Sequence, residues 1–127
     1  MVRRPRVLMV DDHPEVAKAV GRLLSLDCEV VGTITDGSAA LEAVHRLQPD
    51  VVVLDMNLPN IHGLEACRLI AQAHPRTKVI VFTAVTDPGT REQALAAGAS
   101  AFVSKLATEE LLAAIGSCMQ LIEQGAK

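Results

Sequence analysis

Short apolar runs alternate with longer amphipathic segments along this chain, and this alternation restricts its fold more than any other feature. Five runs have the length and branched composition of buried strands: Arg6–Val10, Glu29–Ile34, Val51–Leu54, Lys78–Phe82 and Ser100–Ser104. A segment with helical spacing of apolar residues follows each run. Strands that alternate with helices in this way normally run parallel, so the pattern predicts an α/β fold. We expect a doubly wound sheet of five parallel strands in the order 2-1-3-4-5, with helices on both faces.

The five predicted helices have different signals at their ends. They cover His13–Leu26, Ser38–Leu47, a segment from Gly63 to about His74, a segment that includes Arg91–Ala97, and a last helix that follows Thr108. In the first helix, four apolar residues are expected on one face: Val16, Val20, Leu23 and Leu24. In the last helix the corresponding stripe is Leu111, Ile115, Cys118 and Ile122. We expect this last stripe to pack on the sheet rather than to serve a partner.

Length and charge exclude several classes of protein. The chain has 127 residues, of which 50% are hydrophobic, and this suits one domain over residues 1–127 with no output domain in the chain. A net charge of −3 argues against direct nucleic-acid binding and against binding to a membrane surface. No apolar run approaches the roughly 20 residues that span a bilayer. Three cysteines without a C-x-x-C pair indicate free thiols that are buried or half-buried. We therefore expect a soluble, cytoplasmic protein.

Polar residues stand at the carboxyl ends of four of the five predicted strands. They are Asp11, Asp12, Asp55, Thr83 and Lys105. In a parallel sheet these ends meet at one edge, where ligands bind in doubly wound folds. Three converging carboxylates repel one another unless a cation is present, and hard oxygen ligands suit Mg²⁺. A carboxylate can also accept a phosphoryl group, whose oxygens an amine and a hydroxyl can bind. The pattern therefore predicts a magnesium and phosphate site.

The segments that carry these residues resemble the receiver domain of bacterial two-component response regulators over nearly the whole chain. They read VLMVDDHPEV, PDVVVLDMNLPNIHGLEA, KVIVFTA and GASAFVSK. The resemblance implies a flavodoxin-like (βα)5 fold. It implies that Asp55 is the phosphoacceptor and that Asp12 and Asp55 bind Mg²⁺ directly. Asp11 would act through water, and the backbone carbonyl of Asn57 would complete the ligand set.

The resemblance also implies a switch. Thr83 corresponds to the switch hydroxyl, Lys105 to the phosphate-binding lysine, and Ala84 to a small residue that leaves room for the phosphoryl group. Phe102 corresponds to the switch aromatic, whose rotation would repack the face formed by helix four, strand five and helix five. The phosphoryl donor would be a sensor histidine kinase or a histidine phosphotransfer protein. A homodimer through the fifth helix, where Leu121 adds an apolar residue, is left open.

The chain departs from the family pattern after Lys105. Many members have a proline there, whereas this chain has Leu106. The Asp-Asp-His-Pro opening and the Lys-Leu ending are most similar to the subgroup that usually carries a C-terminal helix-turn-helix DNA-binding domain. Transcription is therefore the expected output if such a domain is attached.

Three other functions compete with the signalling switch. A phosphatase or phosphotransferase similar to haloacid dehalogenases would need an Asp-x-Asp pair after the first strand. The intact strand-end set argues against a receiver-like module that has lost phosphorylation. A flavin-binding domain would need a glycine loop after the first strand, and none follows.

Two residues next to the strand ends were given separate interpretations. His13 adjoins the acidic pair; an exposed residue that opens the first helix is the favoured interpretation, and a metal ligand or a proton shuttle is the alternative. Apolar Val85 is expected to slow hydrolysis of a phosphorylated form, which faster dephosphorylation of Val85→Glu would support. An unchanged rate in that variant would contradict this hypothesis.

Overall fold

A computed structural model describes residues 3–58, 61–84 and 87–125, and within them five strands alternate with five α-helices. The strands are β1 (Arg6–Val10), β2 (Glu29–Ile34), β3 (Val51–Leu54), β4 (Lys78–Thr83) and β5 (Ala101–Ser104). The helices are α1 (Pro14–Leu24), α2 (Ala40–Leu47), α3 (Gly63–Ala73), α4 (Pro88–Ala96) and α5 (Glu109–Gly125). A 3₁₀ turn, Gly37–Ala39, leads into α2.

The strands form one parallel sheet in the order β2-β1-β3-β4-β5, which confirms the predicted topology. The chain reverses its direction of winding between β1 and β3, which are hydrogen-bonded neighbours. Every residue of β3 is buried, as expected for a central strand that is covered on both faces. The carboxyl ends of β1 and β3 therefore lie side by side at the position where doubly wound folds bind ligands.

Two apolar layers enclose the sheet. On one face, alternate strand residues pack with buried residues of α2, α3 and α4, such as Val44 and Ile70. On the other face, the intervening strand residues pack with α1 and α5, through residues such as Leu24 and Ile115. The predicted stripe of α5 is confirmed: Leu111, Ile115 and Cys118 are buried and Ile122 packs against them. All three cysteines are free and buried, as predicted.

The predicted inward face of α1 was partly wrong. Val20 and Leu24 are buried, but Val16 and Leu23 each keep 37% of their surface exposed. The third inward position belongs to Ala17, because residues 17, 20 and 24 share one side of a helix with 3.6 residues per turn. The larger side chains at 16 and 23 lie on the flank of this side.

Other predicted boundaries shift by a few residues. α1 begins at Pro14 and ends at Leu24, whereas β4 extends to Thr83. The residues before Ala40 form the 3₁₀ turn instead of α-helix, with the Asp36 side chain accepting a hydrogen bond from the Ser38 amide. Gly98 follows α4 with a φ of 113°, a conformation that favours glycine, as expected for the residue that ends this helix.

Candidate functional site

The parallel ladder continues one residue beyond three strands and so places the polar residues. The Asp11 amide donates to the Ile34 carbonyl at 2.9 Å, and the Asp55 amide donates to the Val10 carbonyl at 2.9 Å. The Lys105 amide donates to the Thr83 carbonyl, also at 2.9 Å. These backbone bonds hold the strand-end residues in register at one edge of the sheet.

Lys105 joins two buried carboxylates from different strands. Its Nζ lies 2.8 Å from Asp11 Oδ2 and 3.1 Å from Asp55 Oδ2. Both aspartates are almost fully buried, with 2% and 3% of their surface exposed. One amine thus bridges residues that are 94 and 50 positions away from it in the sequence. Lys105 therefore contacts both the predicted phosphoacceptor Asp55 and the predicted magnesium-site residue Asp11.

The electrostatic environment keeps Lys105 charged. Burial by itself lowers the pKa of this amine, but the hydrogen bonds and negative charges of Asp11 and Asp55 act in the opposite direction. Their combined effect is larger, so the pKa of Lys105 lies above its ordinary value. A protonated amine in this position can bind the oxygens of a phosphoryl group.

His13 lies against all three carboxylates, and this placement was not the one the sequence favoured. It caps α1, and its Nδ1 is 3.1 Å from Asp11 Oδ1, 3.0 Å from Asp12 Oδ1 and 3.8 Å from Asp55 Oδ2. The side chain is 60% exposed, so the prediction of an exposed helix-opening residue is also correct. The position of His13 directly after two aspartates is the feature of the sequence that could have predicted this contact.

The donor set fits a divalent cation. One ligand atom each from Asp11, Asp12, His13 and Asp55 lies within 4.8 Å of the others. In addition, Asp12 Oδ1 is buried and has no hydrogen-bond partner among the residues that the structure describes. A buried carboxylate oxygen without a donor is unfavourable unless a cation neutralises it. Hard carboxylate oxygens are the ligands that Mg²⁺ prefers.

The remaining predicted site residues surround this cluster or lie near it. Thr83 is buried at the end of β4, next to β3, and Ala84 follows it with an exposed side chain. The Asn57 amide donates to Asp55 Oδ1 at 3.2 Å, which orients the carboxylate. Leu106 is 88% exposed directly after Lys105. Val85 lies outside the described residues.

Phe102 lies on β5, away from the carboxylate cluster. Its ring is partly buried and packs against the apolar layer beneath α2, α3 and α4. It also lines a surface groove together with Pro88 and Arg91 of α4 and Glu110 of α5. The aromatic side chain therefore connects the interior with the surface formed by α4, β5 and α5.

A close backbone contact shapes the loop after Asp55. Gly63, the first residue of α3, approaches so closely that a Cβ atom on it would lie 2.5 Å from the Met56 Cα and 2.6 Å from the Asp55 carbonyl oxygen. The Gly63 amide also donates to the Met56 carbonyl at 3.0 Å. Only glycine allows this approach, which holds the start of α3 against the residue that follows the buried Asp55.

The fold and the site define a class of protein: a doubly wound α/β domain with an acidic cluster and a partly buried lysine at its switch point. Comparison with known protein families agrees with this class. The family model of the response regulator receiver domain matches residues 7–116. The chain belongs to this family of regulatory domains.

Proteins similar to this chain share the domain but carry the names of different functions. The chain is 38% identical over 123 residues to a protein-glutamate methylesterase/protein-glutamine glutaminase of a Nocardioides species, covering 94% of this chain and 33% of that protein. It is 38% identical over 102 residues to the response regulator GacA of Pseudomonas viridiflava, covering 79% of this chain and 48% of that protein. The chain thus spans between one third and one half of these relatives.

A solved structure supports the same assignment. A two-component response regulator of the LuxR family from an Aurantimonas species superimposes with a TM-score of 0.86 and 33% sequence identity. The match covers 91% of this chain and 84% of that one. Within the described part of the chain, no helix is both long and apolar enough to cross a bilayer.

Proposed function

We propose that this receiver domain, taken as residues 1–127, is a signalling switch that accepts a phosphoryl group on Asp55. The donor is a phosphohistidine of a sensor histidine kinase or a histidine phosphotransfer protein in the cytoplasm. A carboxylate oxygen of Asp55 forms a bond to phosphorus while the bond between phosphorus and the donor imidazole breaks. The observation that supports this proposal best is the contact of buried Asp55 with Lys105 at 3.1 Å.

Each neighbouring residue has a part in this transfer. Asp11, Asp12, Asp55 and the backbone carbonyl of Asn57 would hold Mg²⁺, which neutralises phosphoryl oxygens when it is bound. Lys105 binds a further phosphoryl oxygen and shields the charge that remains on Asp11. Thr83 offers a hydroxyl, and the small side chain of Ala84 leaves space for the group on Asp55. A carboxylate nucleophile has no proton to lose on attack, so this transfer needs no separate general base.

The output is proposed to pass through the surface of α4, β5 and α5. Thr83 ends β4 and Phe102 lies on the neighbouring β5, where Val81 pairs with Phe102 and Thr83 with Ser104. A shift of the Thr83 hydroxyl toward a phosphoryl group would therefore open space beside Phe102, and an inward turn of the ring would change the groove. The full-length protein would control transcription if a DNA-binding domain is attached. A homodimer stays a prediction; Leu121 is 48% exposed on α5.

The proposal is tested by incubating the protein with Mg²⁺ and acetyl phosphate and measuring its intact mass. We expect one phosphate adduct on the wild type and none on Asp55→Asn. Asp27→Asn is the matched control, because it removes an exposed aspartate between α1 and β2, at the opposite end of the strands from the cluster, and should keep the adduct. A wild type without an adduct would indicate a receiver-like module that has lost phosphorylation. Continuous turnover of a phosphate ester would instead favour a phosphatase.

A further inference from the structure

The turn that follows Lys105 depends on hydrogen bonds to one residue. Leu106 keeps 88% of its surface exposed, so its side chain does not anchor the chain at this point. The Leu106 amide donates to the Ser104 hydroxyl oxygen at 3.0 Å, and the Ala107 amide donates to the Ser104 carbonyl at 2.9 Å. Ser104 therefore accepts the amides of the two residues that come directly after Lys105.

The bond to the Ser104 hydroxyl closes a ring around the backbone of Lys105. Because it joins the residues on either side of Lys105, it restricts both backbone dihedral angles of this residue. The Lys105 amide is itself held by the sheet, since it donates to the Thr83 carbonyl at 2.9 Å. The Lys105 side chain is 15% exposed, and its Nζ contacts Asp11 and Asp55. The direction in which this side chain leaves the backbone thus depends on the turn that the hydroxyl closes.

The place of Ser104 in the sheet makes its hydroxyl a fixed acceptor. Ser104 is the last residue of β5 and pairs with Thr83 at the end of β4. The hydroxyl therefore extends from an ordered strand, and its bond ties the exposed turn to the sheet. Groups that take part in a reaction need supports on rigid elements, which hold them within about 0.5 Å of their productive position.

We propose that the Ser104 hydroxyl is a positioning group for phosphoryl transfer: it fixes the backbone of Lys105 so that the amine stays against Asp55. The inference rests on the proposed function, in which Lys105 binds a phosphoryl oxygen. A lysine side chain is long and flexible, so a fixed starting point is what gives its amine a defined position. Ser104 acts through another residue, and removal of its hydroxyl should be felt at that amine.

The experiment compares Ser104→Val with Ser104→Thr, two side chains of similar shape of which only the second keeps a hydroxyl. With Mg²⁺ and acetyl phosphate, we expect Ser104→Val to form the Asp55 adduct about three- to tenfold more slowly than the wild type. Ser104→Thr should stay within about twofold of the wild type. Ser100→Val is the matched control: it makes the same change at an exposed serine directly before β5 and should leave the rate unchanged.

Two further measurements separate positioning from a purely structural role. Burial lowers the pKa of Lys105, and its bonds to the two carboxylates raise it above the ordinary value. NMR titration of the amine should therefore give a pKa closer to the ordinary value in Ser104→Val, but not in Ser104→Thr. In a Lys105→Met background, Ser104→Val should cause no further slowing, because the residue through which the hydroxyl acts is absent.

The outcomes distinguish this inference from the proposed function. Equal rates and equal Lys105 pKa values in Ser104→Val and Ser104→Thr would overturn the positioning role. Equal slowing by Ser104→Val with and without Lys105 would overturn it too, and so would a changed pKa with an unchanged rate. If the wild type forms no adduct, the proposed function fails, and the pKa comparison alone decides whether Ser104 positions the amine.

Discussion

The sheet carries partly or fully buried charges at both ends of its strands, which we call the amino edge and the carboxyl edge. The charges are paired at the first and in excess at the second. At the amino edge, which we define by Arg3, Arg6 and Asp50, one carboxylate is fully paired. The two terminal guanidinium nitrogens of Arg3 each donate to Asp50 at 2.6 Å, and the Arg6 backbone amide donates to the same carboxylate at 2.9 Å. At the carboxyl edge, which we define by Asp11, Asp12, Asp55 and Lys105, three carboxylates cluster and the lysine pairs with two of them, Asp11 and Asp55.

The difference separates charges that are neutralised within the fold from charges that the proposed cation would neutralise. The amino edge has one imperfection, the buried Arg6 Nε, which has no hydrogen-bond partner among the described residues. The carboxylate of this edge, Asp50, nevertheless accepts hydrogen bonds from three donors. The carboxyl edge has an excess of negative charge and a buried oxygen on Asp12 without a donor. Such a site lowers the stability of the metal-free domain and gains stability when a cation binds.

The largest expected effect is at the close backbone contact of the carboxyl edge. Gly63→Ala should lower the free energy of unfolding by about 2–3 kcal/mol, because its methyl group would meet backbone atoms that cannot move aside. It should also reduce phosphorylation of Asp55 by acetyl phosphate. Gly21→Ala is the control, because open space surrounds this residue of α1. This substitution should raise the free energy of unfolding by about 0.5–1 kcal/mol. Urea titration measures the free energy of unfolding of both variants. Equal changes in the two variants would contradict a special backbone contact at Gly63.

The next effect tests the paired charge of the amino edge. Asp50→Ala should cost about 2 kcal/mol, because it removes three hydrogen bonds and leaves Arg3 without its partner. Arg3→Ala should cost less, about 1 kcal/mol or below, since the Arg3 side chain is 59% exposed and screened by solvent. Thermal unfolding of both variants gives the comparison. A neutral Asp50→Ala would mean that this edge contributes little.

Removal of a carboxylate at the carboxyl edge should have the opposite sign. Asp12→Asn should stabilise the metal-free domain by about 0.5–1 kcal/mol, because it lowers the repulsion among the three carboxylates. Millimolar Mg²⁺ should raise the melting temperature of the wild type but not that of the variant. Differential scanning calorimetry with EDTA and with Mg²⁺ measures both effects. Destabilisation by Asp12→Asn in EDTA would remove the distinction between the two edges.

The smallest effect is a pH dependence from Lys105. Its pKa is raised above the ordinary value of 10.5, so the folded state holds this proton more strongly than the unfolded state does. The stabilisation is fully present below pH 10.5 and declines as the pH rises through the folded pKa. Urea titrations in EDTA should therefore show a smaller loss of stability above this pH in Lys105→Met than in the wild type. Equal slopes would mean that the carboxylates do not bind this amine in solution.

The strand order and most of the site were predictable because they depend on short periodic patterns. Alternating apolar runs specify parallel strands, and a parallel ladder brings the residues after each strand to one edge, as it does for Asp11 and Asp55. The contact of Lys105 with both carboxylates follows from the same rule. The inward face of α1 was less predictable, because Val16 and Ala17 are both apolar. Side chains of successive residues point about 100° apart around the helix axis, so the choice between them changes the predicted face.

The sequence by itself determined the strands, the helices and the residue types that gather at the carboxyl edge. The tertiary structure decided what the local pattern could not specify: the approach of Gly63 to the Met56 backbone, the pairing of Arg3 with Asp50, and the position of the His13 ring. Each depends on distances between segments that a strand or helix period does not contain. Side-chain directions at helix starts and loop ends are set only when the elements pack, and the proposed cation ligands lie in these places.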